Sequence, residues 1–265
     1  MSAERWRLID SGPGDAAMNM ALDEALARCT IRSGGMPALR VYAWDRPSVT
    51  IGRFQRASEL DTQYCIGNEI PLVRRPTGGR AILHGHELTY SFSVARGHRA
   101  FGGDLFQCYS EISRAFLEAF TSLGLRAEAR ECLRGRTGEG PLSSKNPLCF
   151  SSTSFGEITL KGRKIIGSAQ RRWPGGMLQQ GSIPLAVSNE TAAGVFHDNG
   201  THVLTGLREA DASLGYEEIR DAIVRGFSRV FKAELAVDSP TGEEASLAME
   251  LKGNKYGSSG WNFLR

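Results

Sequence analysis

No run in this sequence approaches the roughly 20 apolar residues that a membrane-spanning helix needs, and the amino terminus lacks a signal-peptide core. A membrane protein is not expected, and the cytoplasm is the expected compartment. Cysteine is scarce: Cys29, Cys65, Cys108, Cys132 and Cys149 stand singly, with no CxxC pair and an odd count. That pattern argues against a disulfide framework or a zinc ribbon. An excess of one charge is missing too, since 32 Lys and Arg face 29 Asp and Glu for a net +3. Such a balance gives no case for nucleic acid and only a weak pull toward an acidic protein partner. Repeats and low-complexity segments are absent.

What remains is an ordinary globular composition, 41% hydrophobic and 23% charged over 265 residues, long enough to bury a substantial core. Residues 15 to 30 place Ala17, Met18, Ala21, Leu22, Ala25, Leu26 and Cys29 on one helical stripe behind Asp15 as N-cap. Residues 104 to 123 form the clearest helix, with Ile112, Phe116, Phe120 and Leu123 expected inside and Gly124 ending it. Two short strands flank the turn at Pro47, and a short helix follows from about Ser58. "LTYSFSV" alternates as a half-buried strand. "GEITLKGRKIIGS" reads as a hairpin turning at Lys161-Gly162, and "MLQQGSIPLA" as a further strand. Helical patterns recur near 189–197, 215–232 and 241–252. The fold class is therefore α+β, with a mixed, largely antiparallel sheet flanked by helices.

Three stretches could carry chemistry. In "RRPTGGRAILHGHELTY", Gly78 and Gly79 allow close backbone approach to a ligand, and Arg74, Arg75 and Arg80 offer donors to phosphate or carboxyl oxygens. A plain hairpin turn with solvated arginines fits the same residues, and the spacing matches neither a Walker A loop nor a dinucleotide fingerprint. His84 and His86 share a face if the strand continues through both, but no third ligand follows, so no metal site is expected. Cys149 and Lys164 form the third stretch. A nearby ammonium raises the thiolate fraction of a cysteine and makes it a nucleophile; an inert buried cysteine and a surface lysine remain the alternative.

The segments "RRPTGGRAILHGHELTY", "CF" and "GRKIIGSAQRR…LQQGSI" together resemble the biotin/lipoate ligase and acyltransferase superfamily. The nearest likeness is to its octanoyltransferase branch, and it extends from "WRLIDSG" and "NMALDEAL" to "KYGSSGWNF". The resemblance implies one catalytic domain over 1–265, with a core at about 33–240 and a tail at 241–265 packed on it. It implies transfer of an octanoyl group from octanoyl-acyl carrier protein to a lipoyl domain or the glycine cleavage H protein, in lipoate biosynthesis, with no cofactor. Cys149 would be the acyl-thioester nucleophile and Lys164 its activator. Arg75, Thr77, Gly78, Gly79, Arg80, Ala81, His84, Gly167, Ser168 and Ala169 would shape the acyl pocket. The rival within the same likeness is a lipoate-protein ligase that uses ATP and Mg with the same loop and lysine. One departure stands out: the family's acid after the strand histidine is replaced by Gly85.

A two-residue turn at Lys161-Gly162 would pair Leu160 with Arg163 and Thr159 with Lys164. Cys149 lies ten residues before Thr159, roughly 33 Å along a straight strand at about 3.3 Å per residue. Residues 149–154 are therefore expected to fold back as a loop across the mouth of the pocket.

Overall fold

The computed structural model describes residues 3–129, 158–196 and 205–264. Two sheets organise them. The larger has eight strands: β1 (Glu4–Gly14), β2 (Ala38–Trp44), β6 (Glu87–Ala95), β7 (Ala127–Ala129), β8 (Ile158–Leu160), β9 (Arg163–Trp173), β10 (Gly176–Pro184) and β11 (Ala233–Val237). Their order is β11-β1-β2-β6-β10-β9-β8-β7. The β1–β11 and β1–β2 pairs are parallel and the other five antiparallel, which is the mixed, largely antiparallel sheet expected. A second sheet, β4-β3-β5, joins β3 (Ser48–Ile51), β4 (Leu72–Arg74) and β5 (Ile82–His84). The strands bearing the glycine motif thus lie in a different sheet from the strand bearing Lys164, whereas a single mixed sheet was expected.

Helices cover both faces of the large sheet. On one, α3 (Leu105–Ser122) and α5 (Tyr216–Phe231) bury Ile112, Phe116, Phe120, Ile223 and Phe227 against Tyr90 and Phe92. Leu123 is only half-buried, because α3 has ended and Leu125 takes its place in the core. On the other face lies α1 (Ala16–Ser33), whose Asp15 cap accepts from the Met18 amide at 3.0 Å. With both faces covered, β6 is buried from Glu87 to Val94 rather than half-buried. The small sheet has its own cluster with α2 (Thr62–Gly67) and α4 (Asn189–Phe196), built from Val49, Ile51, Cys65, Val195 and Phe196.

The Lys161-Gly162 turn forms as its residues predict. Both have positive φ, +51° and +75°, the signature of a type I′ hairpin. Leu160 pairs with Arg163 and Thr159 with Lys164.

The C-terminal segment, with α6 (Gly242–Leu251), a π-helical turn at Lys252–Tyr256 and α7 (Ser259–Asn262), is fastened by ion pairs. Arg7 donates to Glu244 and Asp238, both at 2.6 Å. Lys252 reaches Asp15 at 2.8 Å, and Lys255 reaches Glu24 at 2.6 Å, where Tyr256 also donates. Burial pushes the Glu24 carboxyl up, but Lys255, Tyr256 and Arg28 outweigh it and hold it below the usual range. At Asp15, burial is likewise outweighed by Lys252 and the Met18 amide. Burial holds Lys255 itself below the usual lysine range despite Glu24, so Glu24 sets the acid-side behaviour of the pair. A carboxylate depressed in the folded state stabilises above its unfolded pKa and loses that contribution as pH falls through the folded value. The urea midpoint should therefore drop as pH falls below about 4, and less steeply in Glu24→Gln. Identical slopes for the two proteins would refute this account.

Candidate active site

A cleft of about 350 Å³, counted together with the solvent at its open mouth, lies between the two sheets. Thr50, Ile82 and His84 of the small sheet form one wall, and Gly167, Ala169 and Gln180 of β9 and β10 form the other; Met20, Tyr42 and Trp44 close it.

The glycine loop is shaped by the arginines beside it. Arg75 donates Nη2 to the carbonyls of Gly78 and Arg80 at 2.6 and 2.7 Å, and Nε to Gly78 at 3.0 Å. Arg74, fully buried, donates to the carbonyls of Gly52, Gln55, Trp261 and Asn262. The sequence offered both as ligand donors; these N–H groups are bonded to backbone oxygens, so Arg75, which lines the cleft, folds the loop, and Arg74 clamps the C-terminal segment to it. Thr77, 1% exposed, donates to Gln180 at 2.8 Å, and Gln180 donates to Asp23 of α1 at 2.6 Å. A single line of hydrogen bonds thereby ties the loop to the helix across the cleft. Arg80 is half-buried and Ala81 fully buried in the cluster of the small sheet.

Gly52 makes the loop's position possible. A Cβ there would sit 1.8 Å from the Gly79 carbonyl oxygen, a contact that only backbone movement can relieve. The Arg53 amide donates to the Thr77 carbonyl at 2.8 Å in the same place. Gly52→Ala should displace residues 77–80 and cost about 1–3 kcal/mol; a denaturation curve matching the parent protein would contradict this.

His84 is 3% exposed and stacks on Trp44 with ring centroids 3.9 Å apart. Its Nδ1 lies 2.8 Å from Glu87 Oε1 and its Nε2 2.8 Å from Thr50 Oγ1. A carboxylate accepts, so Nδ1 carries a proton, while Nε2 is bonded to the Thr50 hydroxyl, which accepts from Arg75 at 3.3 Å. The acid missing at Gly85 is thus supplied by Glu87, two residues further on, where Trp44 and Thr89 also donate to it. His86 is exposed beyond the end of β5 and does not share a face with His84. Among the described residues no group of His, Cys, Asp or Glu could hold a metal ion.

Lys164 is 5% exposed, and a β-bulge fixes the face it occupies. Thr159 pairs with Lys164 but Ile158 pairs with Ile166, which leaves Ile165 as the extra residue of β9. Cross-strand partners share a face, so Ile166 follows Ile158 into the α3–α5 core while Lys164 follows Thr159 to the other side. Gly167, next to Ile166, is on that other side as well. Lys164 and the cleft-lining Gly167 and Ala169 therefore share a face although their spacing is odd, the re-aiming that bulges produce. Ser168 also borders the cleft, but its Oγ is 2.9 Å from Tyr90 Oη, so its hydroxyl faces the α3–α5 core. Cys149 and the expected 149–154 loop lie outside the described residues.

Sequence reasoning passed over Asp23, Gln180, Gly52, Glu87 and Trp44. Asp23 had a signal, a carboxylate in the midst of the apolar Ala21, Leu22, Ala25 and Leu26; the others had none.

With this geometry in place, the likenesses to known proteins become informative. The lipoyl protein ligase A/B catalytic domain model matches residues 15–228. The octanoyltransferase LipM of Anoxybacillus flavithermus is 36% identical over 281 aligned positions that cover 100% of both chains. A lipoate-protein ligase A structure bound with ATP superimposes with a TM-score of 0.83 at 27% identity, covering 98% of each chain. A bipartite lipoate protein ligase from Thermoplasma acidophilum, described with its E2 lipoyl domain, gives 0.78 at 27% identity, covering 99% of this chain and 98% of the other. The two sheets, the bonded glycine loop and the buried lysine strand are those of a chain that belongs to the lipoyl protein ligase A/B catalytic-domain family, in its octanoyltransferase branch.

Proposed function

We propose that this enzyme moves an octanoyl group from octanoyl-acyl carrier protein to a lysine of a lipoyl-acceptor domain, such as the glycine cleavage H protein, through a thioester at Cys149. What carries the reading is the full-length likeness to an octanoyltransferase in a chain that has a cysteine at 149 and a buried lysine on the face of the cleft. In the first half-reaction the Cys149 thiolate attacks the donor's thioester carbonyl; the new carbon–sulfur bond forms, the old one breaks, and the carrier leaves as its thiolate, which takes up the proton that Cys149 gave up on ionising. In the second, the acceptor's amine attacks the enzyme thioester, a carbon–nitrogen bond forms, and Cys149 is released as thiol. Lys164 favours the thiolate. The Gly78 carbonyl turns toward Arg75, so the Gly79 N–H of the same trans peptide points the opposite way and serves as a donor to the oxyanion. His84, Thr50 and Gly167 hold the apolar chain beside Met20 and Trp44. Exchange of one thioester for another is nearly isoenergetic and amide formation is downhill, so neither ATP nor Mg is required.

The test is octanoyl-carrier protein with a lipoyl domain, run with and without ATP and followed by intact mass. Octanoylation of the acceptor without ATP, through an adduct on Cys149, is the expected result. Acceptor modification that needs free acid and ATP would instead establish the ligase chemistry.

A further inference from the structure

The cleft-facing side of β9 continues past the pocket. Gly167, Ala169 and Arg171 alternate along it, which puts Arg171 about 6.6 Å beyond Ala169. Arg171 lies over the Trp173 ring at 4.4 Å, and its Nη1 is buried without a hydrogen-bond partner among the described residues. An orphaned guanidinium N–H in a folded protein is costly and marks a place where an acceptor belongs. Among the described residues the surroundings supply none. Glu24 already serves Lys255, Tyr256 and Arg28. Burial, then the charge of Arg53, works against the Arg171 cation, with Arg28 adding to them. Arg53 itself is held at the rim of the glycine loop, its carbonyl bonded by Arg74 and its amide bonded to Thr77. Lys255 sits over Trp261 at 4.2 Å, and Trp261 is in turn tied to the Arg74 carbonyl. Three cations, Arg28, Arg171 and Lys255, thus lie near one carboxylate, with Arg53 close to Arg171.

A phosphate ester suits this cluster, because it offers several acceptor oxygens and a negative charge to forked guanidinium donors. We infer that Arg171, with Arg53 and Lys255, binds the phosphate on the pantetheine-type arm that presents the acyl thioester. This rests on the transfer reading above. From Lys164 to Arg171, β9 runs seven residues, roughly 20 Å at about 3.3 Å per residue with one residue absorbed by the bulge. An extended phosphopantetheine arm bridges that length, with its thioester at the cleft and its phosphate at Arg171. ATP is the other source of such a group, and the experiment separates the two.

The experiment compares S-octanoyl-pantetheine with S-octanoyl-4′-phosphopantetheine as donors to the full-length protein, scoring the rate of Cys149 adduct formation. The parent protein should prefer the phosphorylated donor roughly 10- to 100-fold in kcat/KM, the span expected of a charge-assisted hydrogen bond. The preference should reside in KM, because the phosphate is bound alike in ground and transition states. In Arg171→Gln the ratio should fall close to one, and in Arg53→Gln it should fall part of the way. Equal ratios in all three proteins would overturn the subsite while leaving acyl transfer standing. Adenylate formation from ATP and free octanoate that is lost in Arg171→Gln would overturn the assignment to the donor arm. No adduct from either donor would remove the transfer reading and this inference with it.

Discussion

Asp23→Ala will lower the stability of this protein by about 3–5 kcal/mol, the cost of removing one partner from a buried ion pair. Asp23 is fully buried on α1 and accepts four hydrogen bonds: Arg40 and Ser91 on Oδ1, both at 2.6 Å, and Tyr42 and Gln180 on Oδ2, at 2.8 and 2.6 Å. Its four donors come from β2, β6 and β10, so a single carboxylate gathers three adjacent strands of the large sheet under one helix. Alanine would leave the Arg40 guanidinium, 1% exposed and over the Tyr42 ring, hydrogen-bonded only to Ser11 and Asn19 among the described residues. It would also free Gln180, the residue that holds Thr77, so activity of the folded fraction should fall as well. Asp23→Asn, which keeps the shape but loses the charge and turns one acceptor into a donor, should cost roughly 1–3 kcal/mol. Urea denaturation of the three proteins decides the matter. A loss below about 1 kcal/mol for alanine would mean that the network is ornamental to the fold.

That network also explains where the sequence could be read and where it could not. Helices announced themselves, because α3 and α5 bury one stripe and show the other to water. Strand β6 showed its period but not its depth: Thr89, Ser91 and Ser93 look like a solvated face until α1 covers them, and Ser91 proves to be bonded to Asp23. Strand β1 escaped notice because Arg7 interrupts its apolar residues, and only Glu244 and Asp238, more than 230 residues away, make a buried arginine there tolerable. At the site, the glycine loop and Lys164 were legible as residue types in order. The task of Arg74 and Arg75 was not, since an arginine that binds backbone carbonyls and one that waits for a ligand are identical in sequence. The doublet Ile165-Ile166 was the trace of the bulge, two buried isoleucines in a row where an alternating strand allows one.

Lys164→Met should slow formation of the Cys149 adduct at neutral pH by about 10²- to 10⁴-fold, the usual reach of a positioned proton-handling group, while the protein stays folded. Methionine keeps much of the buried stem of Lys164, and Thr159 still sets the strand register. The specificity of the prediction lies in pH. Without the ammonium, the thiol must ionise near its ordinary value of about 8.5, so the variant should recover rate as the buffer is raised toward pH 9, whereas the parent gains little. Lys164→Arg, which keeps a charge on the same face, should lie between them at pH 7. Cys149→Ala should form no adduct at any pH, which shows that the signal comes from this thiol and not from Cys29, Cys65 or Cys108, all buried. Burial pushes each of those three thiols up, and nearby arginines offset this only in part at Cys29 and Cys108, so they are poor competitors for an acyl group. If Lys164→Met and the parent show the same pH profile, the lysine does not act on the thiol. Its place on the cleft face must then be explained by contact with the acyl substrate alone.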